Sequence, residues 1–154
     1  MTCLNSLLEV AAKARMNQSG SRRIDVFFYG LFMDERLLLE KGVNPIDRRL
    51  AELENFQLVI THRASLVPAE SQVVHGVVFS LTHDEIDSLY ADPSVSMYRP
   101  EAVLARLSDG NSIPCLCFNL PRVNTTDERN ADYTAKLRAL ATRLNLPDSY
   151  VQTI

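Results

Sequence analysis

The strongest constraint on the fold of this chain is an apolar run that ends at a glycine turn. The residues from Ile24 to Phe28 are mostly β-branched or aromatic, which predicts a buried strand. The turn that follows contains Tyr29 and Gly30, and a glycine permits both a sharp turn and a close approach of the backbone to a ligand. Asp34 is a candidate N-cap for a short helix over residues 35–41. A strand, a glycine turn and a helix are therefore expected in close succession.

The backbone N–H groups of this turn predict a site for an anion. N–H groups without partners gather where a strand passes through a turn into a helix N-terminus, and this arrangement suits a carboxylate. Gly30, Leu31 and Phe32 are the candidate donors. The same residues also fit an ordinary first strand and turn. A phosphate loop is excluded, because a single glycine matches neither the dinucleotide-binding pattern nor the Walker pattern.

The composition excludes several classes of partner. At 154 residues, 46% of them hydrophobic, the chain is long enough for one domain with its own core. The net charge of −3 leaves no basic excess to neutralise the phosphates of a nucleic acid. No apolar stretch reaches the roughly 20 residues that a membrane-spanning helix needs. We therefore expect neither a nucleic acid nor a membrane as a partner.

The cysteines and histidines predict neither disulfides nor a metal site. Cys3, Cys115 and Cys117 do not form a disulfide framework, and they fit a reducing cytoplasm. Cys115 and Cys117 are separated by one residue of a predicted strand and therefore share a face, either as a redox or metal pair or as two small apolar residues. The three histidines are scattered without the spacing of metal ligands. We expect no metal and no cofactor.

Residues 1–23 are expected to form an N-terminal helical arm and linker, followed by a domain over residues 24–154. Leucine and alanine residues recur at helical spacing up to about Arg15, which predicts a short amphipathic helix. The polar and glycine-containing segment 17–21 is typical of a linker. The apolar part of this region is shorter than the centre of a secretory signal.

The middle of the chain predicts strands separated by polar segments. Residues 46–61 fit one or two strands with a break near Glu54-Asn55. The polar segment from His62 to Gln72 is predicted to be a loop. The residues from Val73 to Leu81 form the clearest strand, and Gly76 within it permits a close backbone approach or a bulge.

The second half of the chain predicts two helices and a hairpin. Thr82, with a glutamate three residues later, forms a capping box at the start of a helix. Residues 97–120 fit a hairpin with a turn at Asp109-Gly110-Asn111. The last helix is expected to be capped at Thr125 or Thr126. The order of these elements predicts an α+β fold with a closed or strongly curved mixed sheet.

Four blocks of the sequence occur in a recognisable order: Phe28 to Phe32, Val74 to Thr82, Leu89 to Pro100, and Leu144 to Tyr150. They are similar, in that order, to four features of the γ-glutamylcyclotransferase-like (AIG2-like) superfamily. These features are a Tyr-Gly-Ser-Leu loop, a glycine-centred strand that leads into a helix, a helix end with an acidic residue and a following tyrosine, and the C-terminal Leu-Pro-x-x-Tyr ending of some bacterial members. The resemblance runs from about Ile24 to the C-terminus.

The resemblance implies a small mixed β-barrel with flanking helices and a pocket beside the Tyr-Gly loop. In such enzymes a γ-glutamyl group is bound there, and its own α-amine attacks the γ-carbonyl. The products are 5-oxoproline and a released amine or amino acid. This chain departs from the family pattern at two positions. Leu31 stands where the family usually has a serine, and Asp92 is a shorter candidate for the usual catalytic glutamate.

Four side chains are candidates for direct action on such a substrate. Asp92 is the candidate base, and partial burial beside an apolar helix face would raise its pKa. The sequence Asp92-Pro93-Ser94 is also typical of a capped turn. Tyr29 and Tyr98 are candidates to present hydroxyl groups to the substrate, although both also fit core packing with a satisfied polar tip. Arg99 fits either a partner for a carboxylate or a solvated strand residue.

The expected function is that of a cytoplasmic γ-glutamylcyclotransferase-like protein, a transferase or lyase that converts a small γ-glutamyl compound to 5-oxoproline without a cofactor. The alternative is a catalytically inactive member that keeps the pocket for binding or regulation by a small ligand. The position of Asp92 distinguishes the two, because only a carboxylate that faces the pocket can take the substrate proton.

Overall fold

Five strands close into a mixed β-barrel in the computed structural model, which describes residues 22–154. The barrel order is β1-β3-β2-β4-β5, and parallel pairing between β1 and β5 closes it, whereas the other pairs are antiparallel. The predicted α+β barrel with flanking helices is confirmed. The elements in chain order are β1 (Arg23–Phe28), a 3-10 turn (Leu31–Met33), α1 (Glu35–Glu40), β2 (Ile46–Ile60), β3 (Ala64–Thr82), α2 (His83–Tyr90), β4 (Arg99–Leu107), β5 (Ser112–Asn119), α3 (Ala131–Arg143) and α4 (Asp148–Val151).

The long hairpin of β2 and β3 forms the largest part of the barrel wall. The predicted break in β2 is confirmed, because the register shifts between Glu54 and Phe56 and Asn55 has a φ of 65°. The predicted loop from His62 to Gln72 is wrong. Most of this segment belongs to β3, and Ala64 pairs with the end of β2. Most of its polar side chains point to solvent, although Ser65 is buried. Its backbone pairs with β2 across a tight turn between Ile60 and Ala64, and the polar composition of the segment does not reveal this pairing.

Gly76 lets the end of β1 lie directly against the middle of β3. A Cβ atom at this position would meet the backbone carbonyl oxygen of Phe28 and the ring of Phe27. The predicted close backbone approach at Gly76 is therefore confirmed. Phe28 pairs with Val77 in the same ladder, so this contact fixes the place at which the chain leaves the barrel and enters the glycine turn.

Two side-chain caps fix the helices that flank the barrel. The predicted capping box of α2 is confirmed, because Thr82 and Glu85 each bind the backbone N–H of the other at 3.2 and 2.9 Å. The predicted cap of the last helix at Thr125 or Thr126 is wrong. The cap is Asn130, whose own N–H donates to the carbonyl of Thr61 at 2.9 Å. This bond ties the start of α3 to the end of β2.

The predicted hairpin of β4 and β5 is confirmed, and Gly110 adopts a φ of 88° in its turn. Cys115 and Cys117 are buried on one face of β5 and form no disulfide among the described residues. Burial raises the pKa of these thiols to about 11 and about 12. Both thiols therefore stay protonated at neutral pH, which fits small packing residues rather than reactive ones.

The N-terminal helix predicted up to Arg15 lies outside the described residues. The first strand begins at Arg23, one residue before the predicted domain boundary. Within residues 22–154, no helix has the length and apolar character needed to cross a bilayer.

Replacing Gly76 with alanine is expected to lower the free energy of unfolding toward the upper end of the roughly 1–3 kcal/mol typical of overpacking. The added methyl group would press on the backbone of Phe28, which cannot rotate away as a side-chain end can. Urea denaturation followed by circular dichroism measures the change. As a control, Gly110→Asn should cost less than about 1 kcal/mol, because asparagine tolerates positive φ and no atom lies within 4 Å of its Cβ position. Equal losses in the two variants would contradict the packing role of Gly76.

Candidate ligand-binding cavity

A cavity of about 490 Å³ lies where β1 leaves the barrel. It is bounded by the glycine turn, by the start of β3 at Ala64, by the turn after α2 and by the first part of α3. Its wall is mainly aromatic. The aromatic residues that line it are Phe27, Phe28, Tyr29, Phe32, Tyr90, Tyr98, Phe118 and Tyr133. A concave, mostly apolar cavity of this size with a few polar groups is the usual form of a small-molecule site.

The five residues predicted to bind substrate come together in this cavity. Tyr29, Gly30, Leu31, Phe32 and Tyr98 all line it, although Tyr98 lies far from the others in sequence. Their roles in binding stay predictions. Their shared location shows that the glycine turn and the segment after α2 contribute to one site.

The glycine turn is tighter than the sequence predicts. Gly30 accepts a hydrogen bond from the N–H of Met33 at 3.0 Å, which forms a 3-10 turn before α1 begins. The N–H of Leu31 points to the hydroxyl of Tyr133 at 3.3 Å, so one of the three expected donors already has a partner. The predicted N-cap is present, and the Asp34 carboxylate accepts from the N–H of Arg36 at 3.1 Å. A negative side chain therefore already occupies the N-terminus of α1.

The two predicted tyrosine hydroxyls are bound to the protein backbone. Tyr29 donates to the carbonyl of Phe118 at 2.7 Å, and Tyr98 donates to the carbonyl of Ala64 at 2.5 Å. Burial raises the pKa of both phenols, so they are neutral at physiological pH. Because their protons are used, these oxygens can only accept hydrogen bonds from a ligand.

Asp92 does not line the cavity. Its carboxylate accepts hydrogen bonds from the backbone N–H of Ser94 at 2.9 Å and from the Ser94 hydroxyl at 2.7 Å, and it lies 3.7 Å from the Lys41 ammonium. The bonds from Ser94 lower its pKa, so the expected rise is wrong, because the side chain is 43% exposed rather than buried. The position of Asp92 matches the capped turn that the sequence also allowed and gives its predicted catalytic role no support.

Two cationic residues and a histidine at the opening were not predicted. Lys41, His62 and Arg63 line the cavity and are exposed, and no aspartate or glutamate among the residues that the structure describes lines it with them. Arg63 donates from Nε to the carbonyl of Ser94 at 2.9 Å, and no carboxylate of residues 22–154 lies within 4 Å of its guanidinium. Sequence analysis missed Arg63 because the segment from His62 to Gln72 was predicted to be a loop. Arg99, which the sequence indicated as a candidate partner for a carboxylate, instead donates to the carbonyl of Ser96.

Tyr133 is the second residue that sequence analysis missed. The Asn130 cap accepts from the N–H of Tyr133 at 3.0 Å and so sets the first turn of α3 over the cavity. Its hydroxyl lies 2.5 Å from the position that a Cβ atom would take at Gly30. Gly30 and Tyr133 are therefore in contact although 103 positions separate them, and no local pattern signals such a pair.

Comparisons with known proteins agree on the fold. A family model described as "Gamma-glutamyl cyclotransferase, AIG2-like" matches residues 26–136. A solved gamma-glutamyl cyclotransferase is 18% identical, with a TM-score of 0.69 over 86% of each chain. An uncharacterized human protein is 20% identical, with a TM-score of 0.71 over 85% of each chain. A mouse AIG2-like protein is 19% identical, with a TM-score of 0.52 over 73% of this chain and 82% of the other. No curated protein matches the sequence.

A double-mutant cycle tests the contact between the glycine turn and α3. Gly30→Ala is expected to lower the free energy of unfolding by about 1–3 kcal/mol, because its methyl group would displace the Tyr133 hydroxyl. In a Tyr133→Phe background the same change should cost less, since the blocking oxygen is gone, with a coupling of about 0.5 kcal/mol or more. Urea denaturation of the four proteins measures both values. Strict additivity would show that the two residues do not pack together.

Proposed function

The chain belongs to the gamma-glutamyl cyclotransferase, AIG2-like family, and from this premise we propose that its cavity binds a small γ-glutamyl compound. The observation that carries the proposal is the composition of the cavity wall. Cations stand at its opening, backbone N–H groups line the glycine turn, and the described lining contains no carboxylate. Such a wall favours a ligand that carries a negative group and disfavours one that is only cationic.

The cations at the opening are the proposed partners of the ligand carboxylate. Arg63 keeps two terminal nitrogens beyond its bond to Ser94, and a guanidinium fork matches a carboxylate with two parallel hydrogen bonds. Lys41, at the C-terminal end of α1, also lines the cavity and adds a second positive charge. The N–H groups of Gly30 and Phe32 are further proposed donors in the same wall. Tyr29 and Tyr98 would accept from the ligand amine.

Cyclisation of the bound compound is a second candidate function, which family membership favours. The α-amine nitrogen would form a bond to the γ-carbonyl carbon, and the bond from that carbon to the leaving nitrogen would break. The ammonium nitrogen loses two protons on becoming the lactam N–H, and the leaving nitrogen gains two on becoming an ammonium group, so the protons balance. Holding amine and carbonyl together can replace about 7–11 kcal/mol of the barrier. The products would be 5-oxoproline and a free amine or amino acid.

Ligand binding has more support than cyclisation because the candidate base does not face the cavity. For Asp92 to take the substrate proton, its carboxylate would have to leave Ser94 and Lys41 and turn inward. Its lowered pKa also makes it a weaker base than an ordinary carboxylate. We therefore propose that the main function of this protein is to bind a γ-glutamyl compound. Cyclisation of that compound is retained as a second function to be tested.

A cytoplasmic location remains part of this proposal. It is supported by the two buried thiols of β5, which are unpaired with one another although they share a face. Unpaired thiols are the normal state in a reducing compartment.

Arg63→Gln should weaken the binding of γ-L-glutamyl-L-alanine by at least about tenfold, because a hydrogen-bonded charge pair typically contributes about 1.5–3 kcal/mol. Isothermal titration calorimetry measures the affinity. Arg122→Gln is the matched control, since Arg122 is exposed, lies outside the cavity and changes the net charge equally. The α-linked isomer of the same dipeptide tests recognition of the γ-linkage. The proposal fails if no γ-glutamyl dipeptide binds, or if the two variants lose affinity to the same extent.

Asp92→Asn distinguishes the two functions. If Asp92 is the base, release of 5-oxoproline from γ-glutamyl compounds should fall by at least about 100-fold in the variant while ligand affinity changes little. If the protein only binds, neither form should release 5-oxoproline above the rate in buffer. Liquid chromatography of the reaction mixture measures the product. Undiminished release by the variant would exclude Asp92 as the base without excluding cyclisation.

A further inference from the structure

We infer that the cavity selects γ-glutamyl compounds whose amine part is aromatic or bulky and apolar. This inference rests on the proposed function, because it concerns the same site and the same ligand class. It assigns the two ends of the ligand to two chemically different regions of the cavity. Three features of the cavity support it: the continuity of the aromatic wall, the incomplete burial of its rings and the separation of charge from apolar surface.

Five of the aromatic residues that line the cavity form a continuous wall through ring contacts, and they are Phe28, Phe32, Tyr90, Phe118 and Tyr98. The rings of Phe28 and Phe32 meet edge to face, with centroids 6.1 Å apart, and Phe32 meets Tyr90 in the same way at 6.0 Å. Tyr90 stacks on Phe118 with centroids 3.9 Å apart and an angle of 13° between the planes. Each ring is therefore held in one orientation by its neighbours, and the wall is a preformed surface.

Part of this wall is left uncovered by the protein. Phe32, Tyr90 and Tyr98 are only half-buried, although they pack against the core. Leu37 and Val95 also line the cavity and are half-buried. Apolar surface that stays uncovered inside a concave site is costly to hydrate and is typical of a surface that a ligand covers.

The charged residues of the cavity lie at the protein surface, whereas several of its aromatic rings lie in the interior. The cationic residues Lys41 and Arg63 are exposed, whereas Phe27, Phe28 and Phe118 are almost completely buried. A ligand carboxylate that binds the cations therefore stays near the opening. The remainder of the ligand then extends along the aromatic rings.

In a γ-glutamyl compound the α-carboxylate of the glutamyl group and the side chain of the amine part stand at opposite ends. With the carboxylate at the opening, the amine part lies against the aromatic wall. A benzyl group there would cover ring faces that a methyl or hydroxymethyl group would leave hydrated. The volume of about 490 Å³ lies within the usual range for sites that take small organic ligands, so it does not restrict the site to small amines.

The experiment compares γ-L-glutamyl-L-phenylalanine with γ-L-glutamyl-L-alanine by isothermal titration calorimetry on the full chain. We expect the phenylalanine compound to bind at least about tenfold more tightly, from the extra apolar area that it covers. Equal affinities, or tighter binding of the alanine compound, would overturn the inference and leave the proposed function intact. Absence of binding by both compounds would overturn the proposed function and the inference with it.

A pair of matched variants tests whether the aromatic wall causes the selectivity. Phe32→Leu keeps an apolar side chain but removes the ring between Phe28 and Tyr90, so the ratio of the two affinities should fall at least about threefold. Phe56→Leu is the control, because Phe56 is also half-buried but lies outside this cavity. Thermal melting checks that both variants are folded at the temperature of the titration. An unchanged ratio in Phe32→Leu, or an equal fall in both variants, would overturn the inference.

Discussion

The close approach of β1 to β3 at Gly76 is the packing constraint on which the site depends. With no side chain at Gly76, the carbonyl of Phe28 lies against the middle of β3, and the chain leaves the barrel there. The glycine turn follows at once, and Gly30 in turn leaves room for the hydroxyl of Tyr133. Two positions without a side chain therefore set where the chain enters the glycine turn and how closely α3 approaches that turn. A methyl group at either position would move a wall of the site.

The turn after α2 is held by the cations that line the opening. Asp92 lies near Lys41, and the carbonyl of Ser94 accepts from Arg63, so one turn is bound to α1 on one side and to the start of β3 on the other. Asp92 in this position neutralises part of the charge of Lys41 and orders the turn through Ser94. Because both cations are exposed, each interaction is weak, and a ligand carboxylate can replace it at little cost.

The sequence predicted the parts of this structure that depend on neighbouring residues. The capping box at Thr82 and the break near Asn55 have local causes. Gly76 was recognisable because it lies within the most clearly predicted strand. The parts that depend on distant residues were missed. Asn130 rather than an earlier threonine caps α3 because its N–H reaches the carbonyl of Thr61, and no local pattern encodes this bond. Arg63 was missed for a different reason, because the polar composition of residues 62–72 does not reveal that the start of β3 pairs with the end of β2 across a tight turn.

The charge of the opening also bears on the chemistry that a bound γ-glutamyl group can undergo. Its α-amine must be neutral before it can attack the carbonyl, and nearby positive charges lower the pKa of an ammonium. Lys41 and Arg63 would therefore favour the neutral amine. Among residues 22–154, however, no aspartate or glutamate lines the cavity to take the proton. The leaving nitrogen would still need a proton, and the phenols of Tyr29 and Tyr98 cannot supply it readily, because burial raises their pKa and their protons are bound to backbone carbonyls. The wall thus favours the first half of a cyclisation, whereas neither Tyr29 nor Tyr98 readily assists the second half, which is the physical reason to expect ligand binding with slow turnover.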